Sequence, residues 1–179
     1  SSTAKEIGTT GYTFSSVKVT AGSNEKVRLT SIRWNQSGSA ATGDLANLKS
    51  YIDGVAYDTV ISSDGKYFTS TFGTGIVIDK GFSKEISIKG DIAGGSARTI
   101  QFDIYKTTDL AIKGETYGYG ITPSTSGTGF HTGNPWYYAF SVTVSAGTMN
   151  VSKATSVAAQ NIAINLADQP LGGFVVDTK

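Results

Sequence analysis

The chain has one histidine, His131, set between Phe130 and Thr132 in a stretch of small and polar residues. A Ser-His-Asp arrangement needs an ordered imidazole beside a hydroxyl that it can deprotonate. The residues before it are Ser126-Gly127-Thr128-Gly129, and no Gly-x-Ser-x-Gly elbow leads into a helix. His131 therefore reads as a solvated loop residue, and no catalytic residue is assigned. The carboxylates point the same way. Asp53, Asp58 and Asp64 flank one expected hairpin, whereas a glycosidase needs two carboxyl groups opposed across a cleft. Asp53 and Asp64 each precede a glycine, which is what tight turns require. Calcium, held by clustered loop carboxylates and carbonyls, is the one cofactor these turns could take. Without an Asp-x-Asp-x-Asp loop, no metal ligands are assigned. Gly73-Thr74-Gly75 and Gly118-Tyr119-Gly120 lack the lysine and the helix start of a phosphate cradle. With no cysteine there is no thiolate nucleophile, no disulfide and no Cys-based zinc site. The expectation is a protein that is not an enzyme.

The aromatic residues are the most suggestive set. Tyr117, Tyr119, Phe130, Trp136, Tyr137 and Tyr138 flank the long polar stretch 122–135, with His131 among them. Aromatic faces stack on sugar rings while neighbouring Asn, Asp or Thr side chains bond the hydroxyls. Tyr117, Tyr119, His131, Trp136 and Tyr137 are accordingly the candidate contacts for a surface glycan or a protein partner. The other reading is packing, because alternate residues of Trp136-Tyr137-Tyr138-Ala139-Phe140 should point inward along a strand.

The elements that would carry these residues are strands. Ser and Thr make up 44 of 179 residues, while glutamate occurs at only four positions, so a helical bundle is excluded. Apolar residues recur with period two at Val17 and Val19, Val27 and Leu29, Ile86 and Ile88, Ile100, Phe102 and Ile104, and Val142 and Val144. A change of phase near Thr30-Ser31 predicts a β-bulge. Asp53-Gly54 and Asp64-Gly65 predict hairpins. Residues 36–44 and 122–135 read as surface loops. About eight to ten short strands result, which favours an antiparallel β-sandwich of immunoglobulin-like type over a barrel. A net charge of +1 without a Lys/Arg cluster gives no footprint for nucleic acid. No apolar run reaches the roughly 18 residues of a membrane span.

The ends of the sequence carry a further expectation. The chain opens Ser1-Ser2-Thr3 with no initiator methionine and closes on Val175-Val176-Asp177-Thr178-Lys179. It reads as a processed form or an excised piece, or as a subunit whose last strand pairs elsewhere. Thr3-Ala4-Lys5-Glu6-Ile7 is echoed by Ala158-Ala159-Gln160-Asn161-Ile162, and Phe14-Ser15-Ser16-Val17-Lys18 by Phe174-Val175-Val176-Asp177-Thr178. On that pattern residues 1–152 form one module. Residues 153–179 are then a linker and the first strands of a following repeat, or an assembly strand. Ile162, Ile164, Leu166, Leu171, Phe174 and Val176 are the residues that would enter a neighbour by strand exchange.

Several segments resemble a known type of module. The run Val17-Lys18-Val19-Thr20-Ala21-Gly22-Ser23-Asn24-Glu25-Lys26-Val27 and the run Asp44-Leu45-Ala46-Asn47-Leu48-Lys49-Ser50-Tyr51-Ile52-Asp53-Gly54 are similar to the repeated β-sandwich modules of large bacterial cell-surface proteins, notably those of candidate-phylum, Parcubacteria-like genomes. Lys84-Glu85-Ile86-Ser87-Ile88-Lys89-Gly90-Asp91-Ile92 and Val142-Thr143-Val144-Ser145-Ala146-Gly147-Thr148 fit as well, and Pro170-Leu171-Gly172-Gly173-Phe174 resembles the opening strand of a next module. The resemblance implies an extracellular or cell-surface location, a structural or adhesive role, and neighbouring copies or modules as partners. It marks no active site.

Overall fold

The computed structural model describes residues 3–125, 127–147, 149–157, 161, 164–165 and 167–178. It is all-β, with 52% strand and 4% helix, and its sheets are built almost wholly from antiparallel pairs. The chain divides into two compact units, Ser1–Ser145 and Ala146–Lys179. The break falls before the boundary expected after residue 152.

In the first unit, the described strands are β1 (Thr3–Glu6), β2 (Tyr12–Thr20), β3 (Val27–Gln36), β4 (Leu45–Ile52), β5 (Val55–Asp58), β6 (Val60–Ile61), β7 (Tyr67–Ile78), β8 (Ser83–Ile92), β9 (Thr99–Ile100), β10 (Phe102–Asp103), β11 (Leu110–Gly114), β12 (Gly120–Ile121) and β13 (Val142–Ser145). One sheet runs β2-β8-β4-β5. A second runs β12-β11-β3-β7-β6, with β10 also on β3, and a third runs β1-β13-β9. This is more strands than the period-two count gives, because Ile100 and Phe102 lie in separate short strands that serve different sheets. One pair departs from the antiparallel expectation: β1 runs parallel to β13, with Thr3 opposite Val142.

Alternation places the core. Val17, Ile86, Ile88 and Ile52 of the first sheet pack with Leu29, Ile32, Trp34, Phe68 and Phe72 of the second in a single buried cluster. Short-range signals set the local geometry. Asp53 (φ 51°) and Gly54 (φ 80°) form the two-residue turn between β4 and β5, the left-handed pair that hairpin twist requires. The phase change at Thr30 is a bulge, where the register of β3 on β7 slips between Leu29 and Ser31.

Two of the buried polar residues link the sheets across the core. Ser50 and Ser70 have no exposed surface. The Trp34 indole N–H donates to Ser50 Oγ at 3.0 Å, and Ser70 Oγ donates to the same oxygen at 2.8 Å. Because β4 belongs to the first sheet and β3 and β7 to the second, this bond crosses the core. Ser50→Ala would strand two buried donors and should cost about 1–3 kcal/mol, read as a lower urea midpoint at unchanged m-value. A loss within error of zero would show that the bond contributes nothing to joining the sheets.

Turns and loops are tied down by carboxylates. Asp44 accepts from the Ala41 N–H and from Arg98, Asp64 from the Ser62 hydroxyl and the Lys66 N–H, and Asp91 from the Asn47 amide and the Gly11 N–H. Glu115 holds Arg28 through two bonds of 2.6 and 2.7 Å. These donors hold all four carboxyl groups below the usual carboxylate range. A depressed folded pKa stabilises above the unfolded value of about 4 and is lost as pH falls through the folded value. The thermal midpoint, followed by circular dichroism, should therefore be little changed by these groups from pH 7 to 5 and fall below about pH 4. A midpoint that rises in that acid range would contradict the assignment.

Candidate functional site

The edge strand β2 and the loop after β12 frame a concave surface of the first unit. It is a groove of about 550 Å³ lined by Val17, Val19, Ala21, Leu110, Ile112 and Trp136, among others. Lys18, Asn24 and Glu25 add polar groups to its lining. The groove lies where β2 ends one sheet and β11 and β12 end the other.

Trp136 and Phe130 are part of the groove lining, and their loop is fastened at many points. Tyr137 exchanges backbone bonds with Ile104 at 3.0 and 3.1 Å, Trp136 N donates to Tyr105 O, and His131 N donates to Trp136 O. Phe130 stacks edge-on against Trp136 (4.9 Å) and tilted against Tyr137 (4.8 Å). The Trp136 N–H donates to Thr125 Oγ1, and the Tyr137 hydroxyl donates to the Ser16 carbonyl of β2 at 3.1 Å. Burial pushes the Tyr137 phenol up, which keeps it protonated as a donor.

The predicted aromatic contacts thus separate. Trp136 is 5% exposed and Tyr137 half-buried, so both spend their faces on packing. His131 is exposed and meets Tyr138 edge-on at 5.1 Å. Tyr117 and Tyr119 stand on the β11–β12 turn at 73% and 78% exposure, and neither stacks on another ring among the described residues. The strand expected through Tyr138 and Phe140 does not form. Strand structure resumes only at Val142, and Phe140 is 75% exposed. There Asp103, 36 residues earlier, accepts the Ala139 N–H, which is then not available to a sheet ladder.

The three turn aspartates are also placed. Asp53 pairs with Lys84, Asp58 with Lys49, and Asp64 bonds within its own turn. Among the described residues, no three His, Asp or Glu side chains gather as a metal site. No helix there is long and apolar enough to cross a membrane.

The second unit holds β14 (Met149–Lys153) and β15 (Phe174–Thr178), paired antiparallel as a two-stranded sheet. Opposed residues share a face, so Phe174, Val176, Val151 and Met149 lie together, with Lys153 and Thr178 at the ends. Val175, Asp177, Ser152 and Asn150 form the other face. Phe174 is 73% exposed, Met149 64%, Val151 58% and Val176 46%. Ile164 and Leu171 are exposed as well, while Ile162 and Leu166 fall outside the described residues.

Comparison with known proteins finds no matching family model, no matching curated protein and no matching solved structure.

Sequence reasoning missed Asp103. It is fully buried and accepts from Ser37 Oγ (2.5 Å), Gln101 Nε2 (3.0 Å) and Ala139 N (2.8 Å). It thereby ties the loop after β3 and the segment before β13 to β10. The only local signal is a carboxylate placed between Phe102 and Ile104 in an apolar run. Asp103→Ala should cost about 2–4 kcal/mol, because three donors lose one acceptor. Urea unfolding followed by tryptophan fluorescence measures this, and a change under 1 kcal/mol would remove the latch.

Proposed function

We propose that the chain is a non-enzymatic structural or adhesive module of an extracellular or cell-surface protein. Its first unit is an immunoglobulin-like β-sandwich, and its C-terminal hairpin joins neighbouring copies or modules into a filament or layer. The observation that carries this reading is the bare apolar face of β14 and β15. A hairpin of two strands is at best marginally stable in water by itself. This one presents Phe174, Val176, Val151 and Met149 together to solvent. Contiguous apolar surface of that kind marks an interaction site.

The sandwich reading draws support from two antiparallel sheets that contribute to one core and are bonded through Trp34 and Ser50. The resemblance to surface-protein modules and the high Ser/Thr content support the location. Glycan contact has less behind it: with Trp136 and Tyr137 occupied in packing, the exposed candidates are Tyr117, Tyr119 and His131.

Sedimentation velocity over a range of concentrations, with negative-stain electron microscopy, tests the assembly. The full chain should self-associate as concentration rises. Val176→Lys, which puts a charge on the hairpin face, should weaken association about tenfold or more without altering the melting of the first unit. A wild-type chain that stays monomeric up to millimolar concentration would overturn the reading.

A further inference from the structure

Strand β2 leaves one edge of its sheet open beside the apolar groove. Its ladder to β8 fixes which backbone groups face outward. Ala21, the next residue, donates its N–H to Phe82 O on the β8 side. Successive residues alternate sides, so Ser16, Lys18 and Thr20 turn their N–H and C=O away from β8. The Ser16 carbonyl confirms the alternation, since it accepts the Tyr137 hydroxyl on that outer side. Past Ser16 no strand pairs with this edge among the described residues. Below the open part, Val17, Val19 and Ala21 line the groove together with Ile112 and Ile121. An open backbone edge above an apolar trough is the receptor half of strand addition.

The donor half is in the same sequence. Among the described residues β15 pairs with β14 alone and no strand lies on its other edge, and its apolar face is exposed. We propose that the groove beside β2 accepts β15 of a second copy of this chain. Added along β2, β15 would set Phe174 and Val176 toward the trough beside Val17 and Val19. The polar faces then coincide. Asp177 would lie on the outward face with Lys18, which is exposed and has no ion-pair partner among the described residues. The contact joins two different surfaces, so each copy keeps a free donor and a free acceptor and the assembly grows head to tail. This inference rests on the assembly reading above and names the acceptor it lacks.

The absence of cysteine makes a direct test possible. Full-length Lys18→Cys and Asp177→Cys variants are mixed, oxidised mildly and run on a non-reducing gel, with the junction peptides identified by mass spectrometry. Both positions are exposed, so the core is untouched. Residues opposite each other on adjacent strands lie within disulfide reach. The mixed 18–177 disulfide should exceed either same-site disulfide at least fivefold. Val19→Ser or Val19→Arg in the Lys18→Cys partner should abolish that excess, with a thermal melt confirming that each variant folds. Three results overturn the inference. If the chain self-associates with no excess of 18–177 linkage, the acceptor is elsewhere and the assembly reading stands. If a doubly substituted chain closes within one molecule as a monomer, the second copy is dispensed with. If no variant and no wild type associates at all, both readings fall together.

Discussion

The hydrogen bond from Trp34 to Ser50 fixes how the two main sheets of the first unit sit on each other. Apolar side chains can slide against one another at little cost, since burial is non-directional. A buried N–H aimed at one oxygen cannot, because an unmade bond in the core costs far more than a made bond gains. The indole needs an acceptor, Ser50 provides it from the opposite sheet, and Ser70 donates a second proton to the same oxygen. Three fully buried groups thus satisfy one another across the interior. The same core holds the ring pairs Phe68–Phe102 and Tyr57–Phe72.

Those serines show where a sequence reading of this chain reaches its limit. Period two assigns strands wherever an apolar residue alternates with a polar one, and it places Ser and Thr outward. That works for Thr13 and Thr20, both exposed. It fails at Ser50 and Ser70, which take inward positions because a tryptophan distant in sequence needs an acceptor. The Asp53-Gly54 turn and the bulge at Thr30 are legible because their causes are local: left-handed backbone in one case, a phase change in the other. The parallel pairing of β1 with β13 has no local cause. Its two strands are joined through almost the whole first unit, and four exposed or half-buried residues in Thr3–Glu6 carry no pattern to announce it.

The aromatic cluster is legible in the sequence as a group, while which of its rings pack inward is not. Composition places rings near the 122–135 loop, and the structure brings Phe130, Trp136 and Tyr137 into contact. Asp103 takes the Ala139 N–H, a contact between residues 36 positions apart, and the alternation expected from Trp136 to Phe140 stops there, with Tyr138 and Phe140 exposed. The groove itself was invisible in the sequence, because it arises from two sheet edges meeting and not from any one segment.

Edges are where a β protein must control what it pairs with. The two main sheets have four of them. β5 spans four residues and β6 and β12 span two each, and because β6 pairs only with Phe68 and Thr69, β7 also runs on without a strand partner on that side among the described residues. β2 spans nine, and its long edge is handled in two ways. Tyr137 covers the Ser16 carbonyl, so one backbone acceptor of the first half is taken by a side chain from the aromatic loop. The other half is guarded by Lys18 alone. A lysine on an edge strand opposes indiscriminate pairing, because a neutral or basic neighbour would crowd the ammonium without compensating it. A strand that brings a carboxylate to the same face would not meet that barrier. On the strand-addition proposal, an edge left partly open, lined beneath with apolar side chains and marked by a lysine with no ion-pair partner among the described residues, would be selective by its charge and receptive by its shape.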